Sequence, residues 1–251
     1  MLKHRIIQPV TYMVFVLLVV LCFMKLLPWW VLFLPVVFYL ACVVVGSYFI
    51  QLNYFVLAFN KGSGAKKQIA LTFDDGPLEL HTENVLQLLQ AKEVKATFFL
   101  IGKQIARHEV LVRRIYAEGH LVGNHSYVHS NSFPVLGLGK MKTDLKHCTQ
   151  EINRILGVEA KYFRPPFGVT NPTVAKAATE LGYKVIGWSV RSYDTTISSE
   201  KILMKRLQKA KEGDIVLLHD WGAATLKVLP EFIDAYRAKG FEFVRVDELE
   251  P

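Results

Sequence analysis

Gln68-Ile69-Ala70-Leu71-Thr72-Phe73-Asp74-Asp75-Gly76-Pro77 is a short apolar run that stops abruptly at two carboxylates and a turn. An apolar run of this length, bounded by turn residues, reads as a buried β-strand. Adjacent carboxylates at the end of such a strand are costly unless something positive meets them. Gly76-Pro77 turns the chain at once and leaves both acids at the rim. Outward from this segment the pattern repeats. Further buried strands are expected at Ala96–Ile101, Leu121–Asn124, Tyr162–Arg164, Lys184–Val190, Ile215–His219 and Phe241–Val246. Between them, apolar residues recur at helical spacing over about 82–91, 104–118, 139–156, 172–181, 199–210 and 224–238. Strands alternating with helices predict a parallel α/β domain. The chemically capable residues fall at the carboxyl ends of those strands: Asp74 and Asp75, His125, Arg164, Asp194 and His219. Parallel α/β domains build their sites on that face.

The chain has 251 residues, of which 51% are hydrophobic, so it has ample surface to bury and is not disordered. Three cysteines, two of them (Cys22 and Cys42) inside apolar sequence, exclude a disulfide scaffold. Residues 1–51 contain no acid and only Lys3, Arg5 and Lys25 as strong cations. The apolar tract over 10–50 is about twice the ~20 residues that one transmembrane helix needs. Two spans are expected, at about 10–27 and 30–51, divided near Lys25, Pro28 and the Trp29-Trp30 pair. A cleaved signal peptide fits less well, because a second apolar run follows and no small-residue cleavage site does. Residues 1–59 then read as a membrane anchor in a lipid bilayer, 60–67 as a polar flexible linker, and 68–251 as the α/β domain. By the positive-inside rule, Lys3 and Arg5 before the first span and Lys61, Lys66 and Lys67 after the second favour both ends in the cytoplasm. The net charge of +8 lacks the Lys/Arg block or basic aromatic motif of a nucleic-acid binder.

Four further segments carry chemistry. In Asn124-His125-Ser126-Tyr127-Val128-His129 the histidines share a face if the stretch is a helical turn. Two imidazoles and a carboxylate, supplied by Asp74 or Asp75, make a facial set for Zn²⁺, Co²⁺, Mn²⁺ or Fe²⁺ with positions left open, and the other aspartate is then free as a base. In Tyr162-Phe163-Arg164-Pro165-Pro166-Phe167-Gly168 the prolines stiffen a loop around a guanidinium suited to a carboxylate. Gly213-Asp214-Ile215-Val216-Leu217-Leu218-His219-Asp220 ends an apolar strand in an imidazole able to give up a proton near neutrality. Trp188-Ser189-Val190-Arg191-Ser192-Tyr193-Asp194 offers a carboxylate that can hold and polarise a histidine.

Taken in order, these motifs resemble the polysaccharide deacetylase family with its NodB homology domain (carbohydrate esterase family 4), over about residues 66–250. The resemblance implies a distorted (β/α) barrel of seven or eight strands and a divalent metal, usually zinc, in an open groove. By position it implies Asp75, His125 and His129 as metal ligands, Asp74 as catalytic base and Arg164 as its support. His219 matches the catalytic acid and Asp194 the acid associated with it. Leu217 matches a residue lining the acetyl pocket, with Pro166, Phe167 and Trp188 as further substrate contacts. The implied reaction is metal-assisted hydrolysis of the N-acetyl group of an amino sugar in a polysaccharide, by an integral protein of a bacterial cell membrane. Deacylation of a lipid-linked amino sugar and an inactive membrane-tethered glycan-binding module are the alternatives. A wall or exopolysaccharide substrate favours the outer side of the membrane, against the positive-inside reading, so the side of the α/β domain is left open. Three positions, in two of the motifs, depart from the family pattern. Arg191 and Thr195 replace an acid and a tryptophan in the fourth motif, and Ser130 replaces a proline after the second histidine.

Overall fold

The fold was analysed in a computed structural model, which describes residues 3–249. The outermost residues of the expected anchor and of the expected α/β domain, 1–2 and 250–251, lie outside the described residues. Two N-terminal helices, α1 (His4–Phe23) and α2 (Phe33–Tyr48), flank a 3₁₀ turn at Trp29–Leu32. The expected spans are thus displaced toward the N-terminus. The polar residues before the apolar tract join the first helix, and Lys25, at φ 62°, ends it ahead of Pro28. Segments His4–Phe23 and Trp29–Tyr48 are each 20 residues long and apolar enough to cross a membrane by length and composition.

After a short strand β1 (Ala58–Phe59) comes the α/β part: β2 (Gln68–Asp74), α3 (Glu79–Ala91), β3 (Thr97–Leu100), α4 (Gly102–Arg107), α5 (Glu109–Ala117) and β4 (Leu121–Asn124). It continues with α6 (Leu138–Leu156), β5 (Tyr162–Phe163), α7 (Pro172–Glu180), β6 (Lys184–Ile186), β7 (Val190–Arg191), α8 (Glu200–Leu207), β8 (Ile215–His219), α9 (Thr225–Arg237) and β9 (Glu242–Val244). Every named pair is parallel, in the order β1-β6-β5-β4-β3-β2-β8-β7, with β9 beside the start of β2. The expected single strand over 184–190 is two. β6 pairs with β5 and β1, and β7 pairs with β8 at the far end of the sheet. One stretch of chain thereby touches both ends of the sheet and curls it into the distorted barrel.

Alternation along the strands sorts the side chains. Ile69, Leu71 and Phe73 of β2 join Val216 and Leu218 of β8 in a core beneath α3, α5, α8 and α9. Ala70, Ile215 and Leu217 face a second cluster with Phe99, Phe163 and Trp188, which extends to α7 and to Ile50, Val56 and Ala58. The same period of two sends Thr72, Asp74 and His219 inward at the carboxyl ends.

Two local expectations differ from the structure. The helix expected over 104–118 breaks at His108 (φ −128°, ψ 47°) into α4 and α5. The segment expected as a flexible linker, together with Phe59 just before it, is laced to the barrel. Gly187 N–H donates to Phe59 O (3.0 Å), Gly62 N–H donates to Gly213 O (2.8 Å), and Lys61 Nζ lies 3.1 Å from Asp214. Backbone pairing of this kind leaves no mark in a Gly- and Ser-rich composition.

Candidate active site

Asp74 and Asp75 leave β2 in different directions. Asp74 keeps strand geometry, is buried, and meets Arg164, whose Nη1 donates to Asp74 Oδ1 at 2.7 Å. Arg164 is fully buried, and its other donors reach Thr72 Oγ1 (2.8 Å), Gly187 O (2.7 Å) and Ile186 O (3.4 Å). Its guanidinium lies 4.3 Å from the centre of the Phe99 ring. A buried ion pair is tolerable only when saturated in this way.

Asp75 takes a left-handed conformation (φ 75°), which turns its carboxylate toward the histidines. Asp75 Oδ1 lies 3.6 Å from His125 Nε2 and 3.5 Å from His129 Nε2. The two imidazoles are not on a helical turn, contrary to expectation. Residues 125–130 form a loop in which Ser126 (φ 66°) and His129 (φ 53°) are left-handed, and Ser126 Oγ accepts from His129 N–H. The loop is held from outside. Asn124 Oδ1 accepts from Ser126 N–H, and the Asp144 carboxylate accepts from Tyr127 and Val128 N–H.

These three side chains fit a divalent cation. Their ligand atoms all lie within 4.8 Å of one another. Donors on a tetrahedral ion with metal–nitrogen bonds near 2.0 Å stand about 3.3 Å apart, close to the Asp–His separations seen. His129 Nε2 is buried without a hydrogen-bond partner. His125 Nδ1 lies 2.8 Å from Arg164 O, so it carries the proton and leaves the Nε2 lone pair toward the gap. Burial, with a smaller effect from His125, pushes His129 down to about 4 against the pull of Asp75 and Asp74. A neutral imidazole is the form that binds metal.

On the opposite side stands His219. Its Nδ1 is 2.9 Å from Asp194 Oδ1, and its Nε2 is 3.9 Å from Asp75 Oδ2. Asp194 is buried, and also accepts from Ser192 Oγ, Thr225 Oγ1 and His219 N–H. Burial disfavours the His219 imidazolium. The Asp194 hydrogen bond and the charges of Asp74, Asp194 and Asp75 outweigh it, and its pKa stands above 6.5.

Of the expected substrate contacts, Phe167 is exposed at the rim, its ring 4.8 Å from that of His129. Pro166, Trp188 and Leu217 are buried. Gly168, at φ 69°, lies so close to Trp188 that a Cβ there would meet the indole at 2.1 Å.

Three groups escape motif reading. Trp221 Nε1 donates to Asp75 Oδ2 (3.3 Å), leaving Oδ1 toward the histidines. Thr72 accepts from Arg164, and the Thr82 hydroxyl donates to Asp220, which a Cβ on Gly76 would strike. Burial raises Asp220 to about 7. Trp221 had a signal in its place two residues after His219. Thr82, inside α3, had none.

The polysaccharide deacetylase profile matches residues 61–186. The chain belongs to the polysaccharide deacetylase family. Relatives of this chain at 32–38% identity are named deacetylases, and the chain is a hydrolase of that class, acting on N-acetyl amides of carbohydrate. It is 38% identical over 197 residues to a peptidoglycan-N-acetylglucosamine deacetylase of Bacillus cereus, covering 73% of this chain and 88% of that one. It is 32% identical over 197 residues to a peptidoglycan-N-acetylmuramic acid deacetylase of Bacillus subtilis, covering 76% and 74%. A family pseudoenzyme from Bacillus anthracis has the same fold, with a TM-score of 0.72 at 26% identity, covering 77% of this chain and 68% of that one. Since a pseudoenzyme shares the fold, the side chains on the rim have to carry any argument about chemistry.

Proposed function

We propose that this protein removes the N-acetyl group from an amino sugar of a peptidoglycan-type glycan with the help of a divalent metal, most naturally zinc. The observation that carries this reading is the unpartnered Nε2 of His129 facing Asp75 and His125, with Asp74–Arg164 on one flank and His219–Asp194 on the other. Asp75, His125 and His129 hold the cation. When bound, it lowers the pKa of a water and polarises the acetyl carbonyl. Asp74 is the base. Arg164 occupies its Oδ1 and leaves Oδ2, 3.8 Å from His125 Nε2, free to accept the proton of the attacking water. Asp194 accepts the Nδ1–H of the His219 imidazolium and so directs its Nε2–H at the site. From there it protonates the departing amine, because an amide anion is too poor a leaving group. Acetate and a free amino sugar result. Phe167 walls the groove, with Leu217, Pro166 and Trp188 shaping the acetyl pocket from behind.

Residues 1–59 anchor the enzyme through two spans, with 60–67 joining them to the catalytic domain at 68–251. The length and composition of the two helices support this. One observation favours a second substrate reading, a lipid-linked amino sugar. Thr170, three residues beyond Phe167, donates its N–H to Ser47 O (3.0 Å) and its hydroxyl to Gly46 O (3.4 Å) in the last turn of α2. A rim bonded to the end of a membrane helix works close to the bilayer surface.

The test is metal analysis of the purified full chain, with acetate release measured over N-acetylated glycans, free and lipid-linked. One divalent ion per chain is expected, with acetate release lost on chelation and restored by metal. Full activity of Asp74→Asn with metal bound overturns the assignment of the base, and hydrolysis that survives complete metal removal overturns the reading itself.

A further inference from the structure

Beyond the metal-facing residues, the rim carries a cationic feature that the reaction does not use. Arg191 Cζ lies 4.7 Å, and Arg206 Cζ 4.4 Å, from the centre of the half-exposed Tyr193 ring. Arg191 is also 5.5 Å from the Trp188 ring. Two guanidinium groups on one ring repel each other, and cation–π contact offsets only part of that. Neither has a carboxylate partner among the described residues. Arg206 spends its Nε and Nη2 donors on Arg191 O (3.3 and 3.1 Å). The buried indole N–H of Trp188 likewise has no acceptor. Two cations without a carboxylate, and a buried N–H without an acceptor, gathered on an aromatic wall call for an anion.

The place is as informative as the charge. Arg191 is in register with Leu217, so its side chain leaves β7 on the side that Leu217 faces, the barrel interior. Arg164, which holds Asp74, lies 5.8 Å from the same Trp188 ring. The Arg191 guanidinium and the one that supports the proposed base therefore share the neighbourhood of a single indole, at 5.5 and 5.8 Å from its centre. An anion on Arg191 belongs to the bound sugar or to its immediate neighbour. The resembling motif leads one to expect an acid at this position, and the sign is reversed.

We propose that Arg191, backed by Arg206 on the Tyr193 ring, binds an anionic substituent on or next to the sugar being deacetylated, so that the enzyme prefers glycans carrying a carboxylate or a phosphate. This rests on the deacetylase reading of the site. A guanidinium serves both anions through the same planar pair of N–H donors. A muramyl-type carboxylate and a lipid-linked sugar phosphate are the two sources to separate.

The experiment uses the full-length, metal-loaded protein with three substrates: a neutral chito-oligosaccharide, a peptide-free muramic-acid-containing oligosaccharide, and a polyprenyl-diphosphate N-acetylglucosamine. The readout is the ratio of kcat/KM for each anionic substrate to that for the neutral one. Arg191→Gln is expected to lower that ratio about tenfold or more, chiefly through KM, with partial recovery in Arg191→Lys. The arm that collapses identifies the source of the anion. Arg206→Gln, on α8, shifts the ratio in the same direction by less, and serves if Arg191→Gln does not fold. A merely structural role scales all three substrates equally, and an unchanged ratio overturns the proposal. Calorimetric binding of the same three ligands separates the two layers of the argument. Arg191-dependent anion binding without acetate release refutes the deacetylase reading and leaves the anion site standing. Acetate release with no anion preference does the reverse.

Discussion

His219 and Asp194 are joined twice. The imidazole Nδ1 lies 2.9 Å from one carboxylate oxygen, and the backbone N–H of His219 donates to the other at 2.7 Å. The side chain and the main chain of His219 are therefore aimed by a single carboxylate. Asp194→Asn leaves most of that geometry but can present its amide to Nδ1 and reverse the tautomer. Its kcat should fall by roughly 10²- to 10⁴-fold with metal content unchanged. Because the carboxylate raises the His219 pKa, the proton donor is lost only as pH rises past that raised value. Without it, the alkaline limb of the kcat profile should move to lower pH. A limb that stays in place removes His219 from the role of acid.

His129→Ala and Asp75→Asn each remove one of the three proposed ligands. Metal per chain, read by atomic emission after dialysis, should drop well below one, with far-ultraviolet circular dichroism unchanged. Activity should return only at excess metal, if at all. Retention of stoichiometric metal by both variants would place the ion elsewhere.

Arg164→Met removes the partner of a buried carboxylate. Breaking a buried pair from one side costs about 3–5 kcal/mol. The double variant Arg164→Met/Asp74→Leu should recover part of that loss while staying inactive. A urea-denaturation cycle over the four proteins checks this. Losses that simply add, the double variant falling by the sum of the two single variants, mean that the pair is not coupled.

Gly168→Ala puts a methyl group where the Trp188 ring already lies, at a left-handed φ. Backbone strain alone costs about 1 kcal/mol or more. Phe167, one residue earlier, should shift from His129, lowering kcat/KM without loss of metal. A variant of wild-type activity shows that the Phe167 contact is dispensable.

His120, away from the site, accepts a hydrogen bond from Ala96 N–H on Nδ1 (3.1 Å), so the neutral ring is the folded form. Burial, then Lys95 and Arg245, holds it down to about 4. The unfolded chain takes up a proton near 6.5 while the folded one does not. Stability is therefore full above that pH and declines as pH falls from about 6.5 to about 4, by up to about 3 kcal/mol. His120→Gln should flatten that part of a plot of urea midpoint against pH. The same slope in variant and parent assigns it to another group.

Each of the seven expected strands has a counterpart in the structure, one of them divided into β6 and β7, because a strand is a local event, an apolar run ended by turn chemistry. The five motifs are legible for the same reason, since Asp74, Asp75, His125, Arg164, Asp194 and His219 each close or follow a strand. Trp221 beside Asp75, the Asp194 grip on the main chain of His219, and the Arg191–Tyr193–Arg206 stack are not. Each depends on where a side chain from another element ends up. The His125–His129 spacing even suggested the wrong local conformation. A four-residue separation fits a helical turn, but the loop reaches the same convergence with two left-handed residues held by Asn124 and Asp144.

By itself, then, the sequence determined the order of the main strands and helices, the two apolar N-terminal segments and which polar side chains stand at the strand ends, because periodicity and turn chemistry act over a few residues. Tertiary structure decided that Asp75, His125 and His129 meet, that β6 and β7 divide one expected strand between the two ends of a curled sheet, and that the end of α2 bonds to the rim. Those outcomes depend on strand register and on packing between segments far apart in the chain, and short-range pattern carries no information about either.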